Sequence, residues 1–264
     1  MSYGASAFPP VWINIIGYDK PQRIRPYEKR MNADELALSL RETISRGLVL
    51  YMPFVRFISH RPDTITKVFD RSPFGNHGTI HGAVWQTLPS GKSALSFDGV
   101  DDCIDCGSDE SLNITDAITV EAWVNLRKKS GYYGIASKEL SWNFEWYNDG
   151  WKSEFYIDGN WRSADWFTFT NYFGKWVHLA LTYDSETHLI KKYINGNLVQ
   201  TTELIGLTDY KIGSSTYSVR IGRNVHHGAG YADGTIDEVR IYNRALSKDE
   251  IRRLYELTRV FYGV

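Results

Sequence analysis

Strict alternation of apolar residues is what most limits the folds open to this chain. In ITVEAWVNL, Ile118, Val120, Ala122, Val124 and Leu126 fall at every second position, and WVHLALTYD repeats the pattern with Val177, Leu179, Leu181 and Tyr183. A period of two sends successive side chains to opposite faces of an extended strand, so each segment offers one apolar face to a core. Two further segments carry tight-turn dipeptides: FYIDGNW at Asp158-Gly159 and KKYINGNLVQ at Asn195-Gly196. Both tolerate the positive φ of two-residue hairpin turns, which dictates antiparallel pairing. GLVLYMPF (47–54), the two short strands around Asp98-Gly99 in ALSFDGVDDCIDCG, and TIDEVRIYN extend the series. The expected fold is all-β, a two-sheet antiparallel sandwich. No repeat with a solenoid or propeller period occurs.

The strands start only at Gly47. Before them, Pro9, Pro10, Pro21, Pro26, Gly4 and Gly17 punctuate an extended arm. Asn32 then caps a short helix opened by Asp34 and Glu35, with Leu36, Leu40 and Ile44 near helical spacing and Gly47 as its stop. At the other end Ser247 and Glu250 form a capping box, with Leu246, Ile251 and Leu254 on one face of a closing helix. The domain reading is therefore 1–46 as arm plus helix and 47–264 as sandwich.

Thirty basic and thirty-one acidic side chains leave a net charge of -1, and no basic stripe is interleaved with aromatics, so a nucleic-acid partner is not expected. The N-terminus has neither the basic start nor the unbroken apolar stretch of a signal peptide, and no segment has the length of a membrane helix. Membrane insertion is not expected. Cys103 and Cys106 stand three apart, on opposite faces of a strand, where a mutual disulfide would be strained; no second Cys/His pair supplies a zinc site.

In order along the chain, DRSPFGNHGTIHGAVW, ALSFDGVDDCIDCG, ITVEAWVN, GKWVHLALTYD, KYINGNLV and DGTIDEVRIYNRALSKDEI resemble the concanavalin A-like laminin-G (LamG) jelly rolls, over roughly Gly47 to Leu257. The resemblance implies a jelly-roll sandwich of about a dozen strands that binds glycans or proteins, commonly with one structural calcium. Cys103 departs from the pattern, which usually has an aromatic after the paired aspartates. Residues 1–46 have no counterpart in it.

Calcium takes six to eight oxygen ligands from carboxylates and carbonyls on bent loops. Asp70 and Asn76 in DRSPFGNHG, Asp98 in the FDG turn and Asp237 in the last strand are the candidates, and the resemblance implies that these loops converge at one edge. Such side chains also hydrogen-bond their own turns. The richest binding signal is WNFEWYNDGWKSEFYIDGNWRSADWF, which holds Trp142, Trp146, Trp151, Trp161 and Trp166. These flat rings stack on sugars or fill partner pockets, and some of them belong to a core. Trp142, Phe144 and Trp146 share one face.

Catalysis finds little support. The E-x-D-x-x-E strand of laminarinase-type glycosidases, which share this jelly roll, is absent, and Glu121 has no carboxylate two or three residues on. Regular alternation places Asp237 and Glu238 on opposite faces. No G-x-S-x-G elbow occurs. The expected role is a structural or adhesion subunit of a larger particle such as a virion, phage or surface layer, oligomeric, meeting other protein subunits through residues 1–46. The alternative is a freestanding carbohydrate-binding lectin; a glycosidase on the same fold is the weakest reading.

Overall fold

In the computed structural model the two hairpin dipeptides adopt the backbone their residues favour. Asp158 and Gly159 have φ of 53° and 71°, and Asn195 and Gly196 have φ of 50° and 73°. The structure describes residues 44–54, 66–127, 130–164, 166–224 and 230–264. The chain divides into two units, Met1–Ser39 and Leu40–Val264, and the described residues belong to the second. The arm and the helix cap at Asn32 lie outside them; Ile44, partly buried, packs beside the cluster that holds Leu48 and Leu246.

Nineteen strands occur among the described residues, more than the dozen expected, because several are two-residue fragments. In chain order they are β1 (Leu48–Met52), β2 (Lys67–Val68), β3 (Gly78–His81), β4 (Val84–Thr87), β5 (Ser93–Asp98), β6 (Cys103–Asp105) and β7 (Ala117–Leu126). Next come β8 (Tyr132–Lys138), β9 (Trp142–Tyr147), β10 (Gly150–Ile157), β11 (Asn160–Ser163), β12 (Phe167–Thr168) and β13 (Val177–Asp184). The last are β14 (Leu189–Ile194), β15 (Asn197–Glu203), β16 (Val219–Ile221), β17 (Arg223–Asn224), β18 (Gly230–Tyr231) and β19 (Asp233–Tyr242). The first sheet runs β15-β14-β13-β7-β19-β5-β4, with β1 also on β19; the second runs β11-β10-β9-β8-β16-β6-β3-β2, with β12 also on β10. All pairings are antiparallel, and the fold is a jelly-roll sandwich.

Between the sheets lie the alternating residues of β7 and β13 together with Trp142, Phe144, Trp146, Trp151 and Phe155. Trp142, Trp146 and Trp151 are fully buried. These three rings are therefore core, a correction to their reading as ligand contacts. Trp146 and Trp151 stack across the strand pair at 5.5 Å. Burial of such large apolar area is what holds the two layers together.

Helix α1 (Lys248–Thr258) packs on the outer face of the first sheet. Its capping box is formed as expected: Glu250 N–H donates to Ser247 Oγ and Ser247 N–H donates to the Glu250 carboxylate. Ile251 and Leu254 are buried on its inner side, and the Trp123 ring stacks on Tyr262 at 4.1 Å while its Nε1–H donates to Thr258. Among the described residues no helix is long and apolar enough to cross a membrane.

One departure from regular alternation sits in β19. A bulge shifts the register between Asp237 and Arg240, and Glu238 takes φ of 52°. The extra residue puts Asp237 and Glu238 on the same side, correcting the expectation of opposite faces. Lys92 Nζ reaches both, 2.5 Å from Asp237 Oδ2 and 2.8 Å from Glu238 Oε1. Cys103 and Cys106 are buried free thiols.

Candidate binding face on the second sheet

The second sheet's outer face carries a row of polar groups, buried at Glu154, Asn143, Ser137 and Glu145 and reached by solvent at Ser163, Lys152 and Arg220, with aromatic rings beside it. A two-residue turn at Asn148-Asp149 sets Tyr147 opposite Gly150, so that Glu145 pairs with Lys152 and Asn143 with Glu154 on the outward side. The same register continues sideways. Ser163, Glu154, Asn143, Ser137, Arg220, Asp105 and Thr79 stand opposite one another in sequence across β11, β10, β9, β8, β16, β6 and β3. All seven are polar, and at ordinary strand spacing the run from Ser163 to Arg220 covers about 19 Å.

Its parts are tied together. Ser163 Oγ donates to Glu154 Oε1 at 2.7 Å, Lys152 Nζ lies 2.7 Å from the same oxygen, and Arg220 pairs with Asp105 at 3.0 Å. Asn143 is fully buried, and neither its amide nitrogen nor its oxygen has a hydrogen-bond partner. The segments Arg223–Asn224 and Gly230–Tyr231 cross β8 above this run. A Cβ on Gly134 would meet the Arg223 backbone at 2.5 Å, so only glycine admits the crossing.

Aromatic rings rim the same face. Trp161 stands edge-on to Tyr156 at 5.5 Å; farther along, Tyr132 and Tyr147 lie 4.4 Å apart, and Trp166 stands edge-on to Tyr147 at 6.0 Å. Trp166 is 45% exposed and Tyr147 37%. Of the five tryptophans singled out from sequence, Trp161 and Trp166 are thus the ones turned outward. A Cβ on Gly150 would strike the Trp166 ring at 1.9 Å, so this glycine seats the ring.

Burial, reinforced by the hydrogen-bonded Glu154 carboxylate, pushes the Glu145 carboxyl up to about 9. The folded chain therefore keeps a proton that an unfolded glutamate loses near roughly 4.3. Stability is expected to fall as pH rises through that window, since the native state binds the extra proton. Glu145→Gln cannot ionise. Its melting temperature relative to wild type is expected to rise between pH 5 and pH 8, as read by thermal unfolding; a difference that moves the other way would exclude the raised carboxyl.

The proposed calcium ligands do not gather. Asp70 accepts four bonds, from Tyr51 N–H, Ser72 N–H, Ser72 Oγ–H and Asn76 N–H, all between 2.6 and 2.8 Å. Asn76 donates to Val49 O and Ser111 Oγ. Asp98 accepts from Val100 N–H. Asp237 is buried, where it accepts from Glu238 N–H and Tyr262 Oη–H; burial carries its carboxyl up to about 7 despite Lys92. Among the described Asp, Glu, His and Cys residues, Asp98, Asp101 and Asp102 are the group that closes to within 4.8 Å, and Asp70 and Asp237 are not in it. The four named positions therefore do not fit one calcium ion.

Glu121, which has no carboxylate beside it in its strand, is held by two basic groups. Arg240 Nη1 lies 2.8 Å from it and His178 Nε2 3.1 Å. Burial opposes its charge, yet Arg240 and His178 hold its carboxyl below the usual range.

A sequence profile described as the concanavalin A-like lectin/glucanases superfamily, of laminin-G type, matches residues 98–252, more than half of the chain. The human adhesion G-protein coupled receptor D1 is 36% identical over 76 residues, 29% of this chain and 8% of the receptor. Among solved structures, the receptor binding domain of botulinum neurotoxin C/D mosaic serotype has a TM-score of 0.64 at 16% identity, covering 82% of this chain and 54% of that one. The binding domain of Paraclostridial Mosquitocidal Protein 1 has a TM-score of 0.60 at 16% identity, covering 80% and 52%. A botulinum neurotoxin type C structure, described through cell entry dependent on two ganglioside molecules, has a TM-score of 0.60 at 15% identity, covering 82% and 52%. At such identities the likeness is one of fold. This chain spans about half the length of those solved chains and under a tenth of the receptor.

Proposed function

Because the chain belongs to the concanavalin A-like lectin/glucanases superfamily, we propose that it is a non-catalytic binding domain that recognises a glycan on the outer face of its second sheet. The observation that carries this reading is the set of outward rings Trp161, Tyr156, Tyr132, Tyr147 and Trp166 beside the solvent-reached polar groups Ser163, Lys152 and Arg220, on a floor stiffened by the buried Glu154, Asn143 and Ser137. Sugars need both elements, rings for their apolar faces and fixed donors and acceptors for their hydroxyls. Turnover is disfavoured by geometry. Glu145 and Glu154 are buried and share Lys152, whereas glycoside hydrolysis needs two carboxyls that face the substrate across the scissile bond. Asp237 and Glu238 are buried and ion-paired with Lys92. A glycan array probed with the full chain tests the reading; retention of no glycan would overturn it.

We place this domain in an adhesion subunit of a larger particle, at its surface, with residues 1–46 reaching neighbouring subunits. Light scattering on the full chain and on a chain starting at Gly47 checks that role. The expected result is an oligomer that becomes a monomer on removal of the arm; monomers in both cases would leave the binding domain without the assembly role.

A further inference from the structure

We propose that the pocket formed by Arg220, Arg223, Tyr217, Ser218, Thr216 and Glu139 binds the anionic group, carboxylate or sulfate, of an acidic sugar. This assignment rests on the glycan-binding reading above and names the class of glycan. The pocket is a concavity of about 380 Å³ at the β16 end of the polar run. Two guanidiniums enter it from consecutive short strands. Arg220 is steadied by Asp105, while Arg223 lies over the Tyr231 ring at 5.3 Å and its buried Nε–H has no hydrogen-bond partner. A planar guanidinium stacked on an aromatic keeps its donor edge pre-aimed, and carboxylate or sulfate oxygens match that edge in paired bonds.

The opposite wall is built, not loose. Ser215 N–H donates to Asn113 Oδ1, Ser215 Oγ–H donates to Glu139 O at 2.5 Å, and Tyr217 N–H donates to Ser215 Oγ. These bonds hold the 215–218 turn against the end of β8 and leave Tyr217 54% exposed at the rim, where its ring covers a sugar face. Ser218 and Thr216 add hydroxyls beside the two positive groups. Glu139 supplies one opposing charge, so the pocket favours a single anionic substituent and penalises a polyanion packed along it.

Surface binding to immobilised lactose, 3′-sulfated lactose and 3′-sialyllactose, at 50 and 300 mM salt, tests the assignment. The acidic pair is expected to bind at least about tenfold tighter than lactose at low salt, and the gap to narrow at high salt as exposed charges are screened. Arg223→Met is expected to lose roughly 10- to 100-fold for the acidic sugars while leaving lactose unchanged, the size of a charge-assisted hydrogen bond. Tyr217→Ala, at an exposed rim position, is the second variant and weakens all three. Equal binding of the three sugars, or an Arg223→Met chain that still prefers the acidic pair, would overturn the pocket and leave the sugar-binding reading standing. Failure of the chain to bind any sugar here or on the array overturns both.

Discussion

Arg240→Met is expected to lower the melting temperature by about 10 °C or more. Arg240 is buried between Glu121 and Glu238 and lies over the Tyr51 ring at 4.2 Å. Removing one member of a buried ionic group strands the others without compensation, at about 3–5 kcal/mol. In a domain of this size each kcal/mol moves the midpoint by roughly 2–4 °C. The pH profile gives a second check. The Glu121 carboxyl is held below its usual range by Arg240 and His178, so the stabilisation is fully present above roughly pH 4.3 and is lost as pH falls through the folded value. Wild type and variant are expected to converge in acid. A variant that melts within 2–3 °C of wild type at pH 7 would show that the ionic layer contributes little.

For binding, the largest effect is expected from the paired substitution Trp161→Ala with Trp166→Ala. Loss of two outward rings from a recognition surface removes roughly 2 kcal/mol or more, a weakening of at least about 30-fold for whichever glycan the array returns. Neither ring is fully buried, so the melting temperature moves little. Trp151→Ala is the contrast. It opens the stack with Trp146 in the core and costs about 3–5 kcal/mol in stability. Should the outward pair destabilise as much as Trp151→Ala and leave glycan affinity alone, the binding face would be misplaced.

These contrasting tryptophans mark what could be read in the chain before its fold was known. Alternation in Trp142, Phe144 and Trp146 correctly placed them on one face, but period two does not say which face meets the other sheet. That depends on the opposing β7 and β13 rows, which no local pattern reports. The hairpins at Asp158-Gly159 and Asn195-Gly196 and the Ser247–Glu250 capping box were legible because each is a local bond or backbone preference. The β19 bulge was not, since Glu238 is not a residue that advertises positive φ. Asp70 shows the competing case: the oxygens that made it a calcium candidate are spent on four donors within and beside its own loop. Arg220 and Arg223 drew no notice in sequence because their proximity to Tyr217 and Glu139 exists only after β16 docks on β8.

The pairing of β1 with β19 carries a consequence for biosynthesis. Tyr51, in the first strand, bonds to Glu238, 187 residues later. At ordinary elongation rates of about 5–20 residues per second, the apolar LVLYM segment waits roughly 10–40 s on the ribosome before its neighbour is made. During that interval its backbone edge is a template for other chains. Slow, cool expression or a holdase that shields that one segment is therefore expected to raise soluble yield.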